Sequence, residues 1–461
     1  MFRIFGPPGT GKTTTLLNMV DEALAAGTHP HRISFLAFTR KAANEAKERA
    51  AARFGLDAKK DLVHFRTLHS LALTMTDIRP EQVMQEINYR ELSKKIGISL
   101  GGSKNTNFDD DMPSMVSSND PILGLINLAR LRKVNLRDQY NICNLEDDWN
   151  TVNYVDKCFR EYKEKLGLYD FTDMLAQFVS GKNTYCPEFD LCFLDEAQDL
   201  SPLQWDIAHI LDENSKRMYC AGDDDQAIYR WAGADVDHFI NLPGGSETLS
   251  QSYRIPQTVH TLAENVVRRI TRRFPKRYEP KKDRGNVARI SHISSLDMTQ
   301  GSWLILSQAG YQLQPVASDL KSNGYLFTYR GHRSISEKIS DAVNGWEQMR
   351  KGKEISGEVA RKIYSYMSTG NRITRGYKKL RDLDDDDMVT MEDLISKHGL
   401  LADPKLIWSE AMDKMPEIDR AYITAMLRRG EKFNGIPRIT ASTIHGSKGG
   451  EADNVVLFTD L

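Results

Sequence analysis

Apolar positions along the chain alternate between short continuous runs and helical spacing. The pattern predicts a strand at Met1–Phe5, a glycine- and proline-rich turn, and an amphipathic helix from about Lys12 to Ala26. A second strand at Ile33–Phe38 leads into an alanine-rich helix from Lys41 to about Phe54. Strand, turn and helix in alternation imply a parallel sheet. After His69 the period changes. Residues 71–167 read as long helical stretches with one polar break, GGSKNTNFDDDMPSMVSSND, expected to be an exposed loop. Strand character returns at Leu191–Leu194 and Met218–Ala221.

The second half repeats the plan. Strands are expected at Val287–Ser291, Trp303–Leu306 and Leu326–Tyr329, a charge-rich helical block from Asp341 to Gly435, and further strands at Ile439–Ser442 and Asn454–Phe458. The expected organisation is therefore two α/β cores with parallel sheets, each carrying a helical insertion. The first core takes residues 1–70 and 168–254 around an insertion at 71–167. The second takes 255–340 and 436–461 around a shorter insertion at 341–435.

Composition narrows the class. Among 461 residues, Lys and Arg number 62 and Asp and Glu 63, a net charge of −1. That balance excludes a protein that coats polyanions by bulk charge, though not a local basic groove. Ten cations between Arg268 and Arg289 face only Glu279 and Asp283; a solvated helix face and a track for a nucleic-acid backbone both explain the run. No apolar run approaches the ~20 residues that cross a bilayer, and the first residues do not read as a signal peptide. The five cysteines form no CxxC pair. Reduced thiols in a cytoplasmic, membrane-free protein are the expectation.

Two stretches carry phosphate chemistry. Gly6-Pro7-Pro8-Gly9-Thr10-Gly11-Lys12-Thr13, continuing into Thr14, fits G-x-x-x-x-G-K-[ST] between a predicted strand and a predicted helix. Its glycines let backbone N–H groups approach phosphate oxygens at a helix N-terminus. Lys12 would reach the β- and γ-phosphates, and the Thr13 hydroxyl would ligate Mg²⁺. The predicted strand Leu191–Leu194 ends in Asp195-Glu196-Ala197-Gln198-Asp199. Asp195 could hold the metal and Glu196 could polarise an attacking water. Alone, such a pair reads as a solvated turn; beside the glycine loop it points to nucleoside triphosphate hydrolysis.

From this point the sequence resembles superfamily 1 DNA helicases of the UvrD/PcrA/Rep type. The resemblance rests on Phe35-Leu36-Ala37-Phe38-Thr39-Arg40-Lys41-Ala42-Ala43, Thr67-Leu68-His69-Ser70, Tyr169-Asp170-Phe171-Thr172-Asp173 and Ala221-Gly222-Asp223-Asp224-Asp225-Gln226-Ala227-Ile228-Tyr229-Arg230-Trp231. It continues through Gln251-Ser252-Tyr253-Arg254 and Thr443-Ile444-His445-Gly446-Ser447-Lys448-Gly449-Gly450-Glu451, in the family's order. It implies two RecA-like P-loop cores that use ATP and Mg²⁺ in the cleft between them. By resemblance Lys12, Glu196, Gln226 and Arg254 are catalytic, Gln226 as γ-phosphate sensor and Arg254 as arginine finger. Tyr253 would stack on the base and Glu451 would bond the ribose. Phe38, Thr39, Arg40, His69, Tyr229, Trp231, His445 and Lys448 are the DNA-contact candidates; Tyr229 and Trp231, two apart, would share one face of a strand. Without the motif, these two rings read as core.

The implied activity is ATP-dependent translocation on single-stranded DNA and at single-strand/duplex junctions, 3′→5′, with replication, repair or nuclease proteins as partners. Translocation without unwinding, a motor subunit of a nuclease complex, and an ATP-binding DNA scaffold are the alternatives. Three departures bear on it. The glycine loop lies too close to Met1 for the family's adenine-reading glutamine motif, which leaves the choice of ATP over other triphosphates open. Trp231-Ala232-Gly233-Ala234 stands where the pattern has W-R-G-A, and Leu461 precedes the family's motif VI: either the natural chain is longer or it works with one arginine finger, and weak turnover is expected of the 461-residue chain if it is a fragment.

Overall fold

A computed structural model describes residues 1–100, 120–181 and 186–459. The chain forms two compact units, Met1–Ala288 and Arg289–Leu461.

In the first unit six strands, β1 (Phe2–Phe5), β2 (Ile33–Ala37), β3 (Phe65–Thr67), β4 (Phe189–Leu194), β5 (Ser215–Gly222) and β6 (Ser246–Thr248), build a sheet in the order β3-β2-β4-β5-β1-β6. Every pairing is parallel. The central strands are apolar on both faces, as a sheet covered by helices on both sides requires; Ile33, Phe35, Leu36 and Ala37 of β2 are all buried. Covering it are α1 (Lys12–Ala25), α2 (Arg40–Phe54) and α3 (Leu68–Met75), with α8 (Phe171–Gly181), α9 (Pro202–Glu213) and α10 (Val236–Asn241) later in the chain; α11 (Gln257–Val267) follows and buries none of its residues. Between α3 and α8 lies the insertion, α4 (Glu86–Ile96), α5 (Pro121–Arg132), α6 (Leu136–Ile142) and α7 (Trp149–Leu166), with its own small core around Val152, Val155 and Phe159. Most of its expected polar loop, residues 101–119, lies outside the described residues.

A buried ion cluster ties insertion to core. Arg130 on α5 and Lys163 on α7 both bind Asp170 (2.6 and 2.5 Å) and Asp173 at the start of α8. Asp170 is only 3% exposed. Burial acts against its charge, but Arg130 and Lys163 outweigh it and hold its pKa down to about 2.

In the second unit β7 (Trp303–Ser307), β8 (Phe327–Tyr329), β9 (His332–Arg333), β12 (Ile439–Thr443) and β13 (Asn454–Leu457) form a sheet in the order β13-β7-β12-β8-β9. It is parallel except for the β8–β9 edge hairpin. Helix α12 (Leu313–Ser322) follows β7. The insertion holds α13 (Glu337–Arg350), α14 (Gly357–Ser365), α15 (Met391–Ser396), α16 (Trp408–Ala411) and α17 (Glu417–Arg429), plus a short antiparallel ladder of β10 (Ile355–Ser356) with β11 (Met388–Val389). Among the described residues no helix is long and apolar enough to cross a membrane.

Two differences from the expected plan have clear causes. Residues 255–288, assigned from sequence to the second core, belong to the first unit. Phe274 stacks on Phe5 at 3.8 Å between ring centroids, and Lys276 is buried against Asp223, Asp224 and Asp225. The strand expected at Val287–Ser291 does not form: Val287 and Ile290 are 48% and 43% exposed and pack on no core.

Candidate nucleotide site and nucleic-acid face

The phosphate loop is held by its neighbours before any ligand arrives. β1 delivers it at the sheet's C-terminal edge, where Gly6 N–H donates to Gly222 O at the end of β5 (2.9 Å). The Thr10 hydroxyl braces the loop on Pro7 O (2.7 Å). Gly9 and Gly11 sit at φ +72° and +80°, the left-handed region that side-chain-bearing residues avoid. From Gly11 the chain enters α1, so Lys12, Thr13 and Thr14 form its first turn.

Lys12 Nζ stands 3.2 Å from Glu196 Oε1 and donates to Gly6 O (3.3 Å). Burial works against its charge, yet Glu196, Asp195 and Asp223 together push the pKa above the ordinary lysine value. The Thr13 hydroxyl donates to Asp195 Oδ2 (3.0 Å). Asp195 follows β4 and is 3% exposed. Burial and the adjacent Glu196 raise its pKa to about 6, against the pull of Lys12. A hydroxyl and one carboxylate are hard oxygen donors suited to Mg²⁺, which keeps several waters and takes its remaining ligands from phosphates. Glu196 adopts φ +57°, a costly backbone for a non-glycine residue, and the turn aims its carboxylate at Lys12.

Behind the acidic pair runs a buried polar chain. Gln198 Nε2 donates to Glu196 Oε2 (2.6 Å), and Gln198 Oε1 accepts the Asp223 N–H (3.0 Å). Asp223 Oδ2 in turn accepts Gln226 Nε2 (2.6 Å). On the other side of the loop Tyr253 N–H donates to Gly9 O (2.8 Å) and the Ser252 hydroxyl to Pro8 O (2.7 Å). A Cβ at Gly9 would lie 2.3 Å from Arg254 Cβ, so only glycine allows this approach. Tyr253 is 75% exposed, a ring face open to a stacking partner.

The nucleic-acid candidates divide. Arg40 is exposed at the start of α2, which Thr39 caps by accepting the Ala42 N–H (3.2 Å). Phe38 is half-buried, its ring 5.5 Å from Tyr229. Trp231 is 45% exposed. Tyr229 corrects the expectation of a shared stacking face: the chain here makes a tight 3₁₀ turn, not a strand, which buries Tyr229 to 2% exposure while Trp231 stays outside. His69 is half-buried, and burial lowers its pKa to about 4, so its ring is neutral. Ala232, where the family pattern carries arginine, is buried. His445 and Lys448 are half-buried and Glu451 exposed, on the second unit in the turn from β12 to β13.

The model of the UvrD/REP helicase N-terminal domain matches residues 2–244. The chain belongs to the UvrD/REP helicase family. It is 26% identical over 298 residues to the ATP-dependent DNA helicase PcrA of Leuconostoc citreum, covering 61% of this chain and 39% of that protein. PcrA of Bacillus subtilis is likewise 26% identical over 298 residues, at 60% and 39% coverage. The putative ATP-dependent DNA helicase YjcD of Bacillus subtilis is 24% identical over 375 residues, 78% of this chain and 48% of its own. The chain thus spans less than half the length of these relatives.

Three residues at this family site escaped the sequence reading. Gln198 was visible inside D-E-A-Q-D, but only the fold shows it linking the two acidic turns. Ser252 anchors its motif to the loop through one hydroxyl. Lys276 reaches Asp223 from more than fifty positions away, and no spacing rule signals it.

Proposed function

We propose that the chain is the motor of an ATP-dependent DNA helicase or translocase that moves 3′→5′ on single-stranded DNA. The observation that carries this reading is the convergence of three segments on one loop: Asp195 and Glu196 on Thr13 and Lys12, the Asp223 turn on Gly6 through Gly222 and on the acidic pair through Gln198, and the Ser252–Arg254 segment on Pro8 and Gly9. Stabilising charge on a transferring phosphoryl group needs such a preorganised set, because there is little covalent chemistry for the protein to perform.

In this reading an incoming triphosphate exchanges for Glu196 at Lys12. Glu196 is then left to take a proton from the attacking water, held at its place by the Gln198 amide. Gln226 orients that water, and Arg254 neutralises charge on the γ-phosphate. Mg²⁺, held by Thr13 and Asp195, would neutralise β- and γ-oxygens. Exposed Tyr253 gives the base a face, and Trp231 with Arg40 grips bases and backbone without reading sequence. The names of the relatives support DNA as substrate, and the resemblance to UvrD and PcrA supports the direction.

The test measures ATP hydrolysis with and without single-stranded DNA, then unwinding of duplexes carrying a 3′ or a 5′ tail. DNA-stimulated hydrolysis lost in Lys12→Ala, with unwinding from 3′ tails, is expected. Unwinding from 5′ tails alone would overturn the direction. Hydrolysis without unwinding would reduce the protein to a translocase, and nucleotide binding without hydrolysis to a scaffold.

A further inference from the structure

The turn that carries Gln226 holds three consecutive aspartates, and all three point inward. The side chains of Asp223 and Asp224 are fully buried and that of Asp225 is 10% exposed. Three carboxylates so close together repel one another, and burial adds to the cost. Lys276 answers them. Its ammonium, 1% exposed, lies 3.1 Å from Asp223 Oδ1, 2.5 Å from Asp224 Oδ1 and 2.8 Å from Asp225 Oδ2. The same strand of chain adds Arg273, which binds both Asp225 oxygens (2.8 and 2.6 Å), and the Phe274 N–H, which donates to Asp224 Oδ2 (2.7 Å).

The geometry fixes more than the position of the turn. A carboxylate only accepts hydrogen bonds, so an ionised Asp223 at 2.6 Å selects the nitrogen side of the Gln226 amide. Asp223 thereby takes the nitrogen end of that amide, and the choice of end follows from its charge. A protonated or displaced Asp223 would no longer dictate that choice. Burial pushes Asp223 upward in pKa, and Lys276 is the foremost group opposing it.

We propose that Lys276 is a positioning residue for hydrolysis: it clamps Asp223, and through Asp223 it sets which end of the Gln226 amide faces the γ-phosphate and water. This role rests on the nucleotide site proposed above. Lys276 acts through Asp223, which its ammonium meets at 3.1 Å.

The experiment compares wild type, Lys276→Met, Gln226→Ala and the double variant, each at equal folded fraction by circular dichroism. Steady-state ATP hydrolysis with single-stranded DNA gives kcat and KM. Fluorescent ADP and a fluorescent non-hydrolysable ATP analogue give affinities. Lys276→Met should lower kcat by about 10²-fold, the order of a lost water-orienting group, and should erode the preference for the triphosphate analogue. ADP affinity should stay within about twofold, since Lys12 and the loop are untouched. The double variant should be no slower than Gln226→Ala alone, because both changes break one chain of contacts.

If Lys276→Met does not fold, Asp223→Asn replaces it. That change keeps the volume, removes the charge that orders the amide, and should give the same kcat loss and the same non-additivity. A wild-type kcat in the folded variant, or losses that multiply in the double variant, would overturn the positioning role. A wild-type chain that neither hydrolyses ATP nor prefers the triphosphate would instead sink the site reading beneath it.

Discussion

The contact between Gly9 and the Ser252–Arg254 segment lets a single methyl group test the assembled site. In Gly9→Ala the new Cβ would lie 2.3 Å from Arg254 Cβ and 2.9 Å from Ser252 Oγ. Carbon atoms rest at ~3.5–4 Å, and a Cβ is fixed to its backbone, so the segment must retreat by more than about 1 Å. That retreat breaks the Tyr253 N–H···O=C Gly9 and Ser252 O–H···O=C Pro8 bonds, worth about 1 kcal/mol each. Left-handed backbone at φ +72° adds about 1–2 kcal/mol for alanine. The total, about 3–4 kcal/mol, falls on the docked position of Arg254 and Tyr253.

Gly55→Ala is the matched control. Gly55 also sits at left-handed φ, +66°, but a Cβ there meets nothing within 4 Å. It should cost only the strain, about 1–2 kcal/mol of stability, and leave hydrolysis alone. DNA-stimulated ATPase assays and thermal melts of both variants separate the two effects. Gly9→Ala should lose about 10²-fold or more in kcat/KM. A Gly9→Ala enzyme within threefold of wild type would refute the argument that this segment must dock on the loop.

Other substitutions probe the remaining parts. Trp231→Ala should weaken single-stranded DNA binding by ~1–3 kcal/mol, read by fluorescence anisotropy, with little change in melting; Tyr229→Ala, at a buried ring, should instead cost about 3–5 kcal/mol in a denaturant titration. Thr13→Val should raise the Mg²⁺ concentration for half-maximal hydrolysis several-fold, since the proposed site would lose one of its two protein oxygens. Asp170 has a folded pKa of about 2, below its ordinary 3.8, so its contribution is complete above pH 4 and fades as the pH falls toward 2. The stability gap between wild type and Asp170→Asn should therefore shrink by about 2 kcal/mol over that interval; a constant gap would exclude the charge as its source.

How much of this was legible depended on distance along the chain. The glycine loop and the acidic pair each lie within one strand–turn–helix step, where local spacing carries the geometry. The parallel sheet was legible for the same reason, since apolar strands alternate with helical spacing. Tyr229 and Trp231 were misread because an i, i+2 rule presumes a strand, and the chain folds a 3₁₀ turn there. The boundary at residue 255 was misread because α11 opens a new helix without showing where it packs. Only the buried Lys276 and the Phe5–Phe274 stack reveal that this stretch belongs to the first unit.

The basic run from Arg268 to Arg289 shows why counting charges misjudges grip. A helix face was one reading, yet α11 ends at Val267 and the following residues 270–292 form neither helix nor strand. Lys276 and Arg273 are committed to the three buried aspartates. Arg272 reaches Asp237 at 3.2 Å, Lys281 reaches Asp283 at 2.8 Å, and Arg268 stands 4.0 Å from Glu264. Half of the ten cations are thus answered by acids of the same unit, two of them in structural work beside the turn that carries Gln226. What remains to meet a phosphate backbone is Arg269, Arg277, Lys282, Arg284 and Arg289, which are exposed. Each exposed contact that neutralises a phosphate adds close to one unit to the salt dependence of binding. Substituting Arg269 or Lys282 should therefore flatten that dependence, and substituting Arg273 should damage hydrolysis instead. The run holds two kinds of cation, and the acids they meet in the fold separate them.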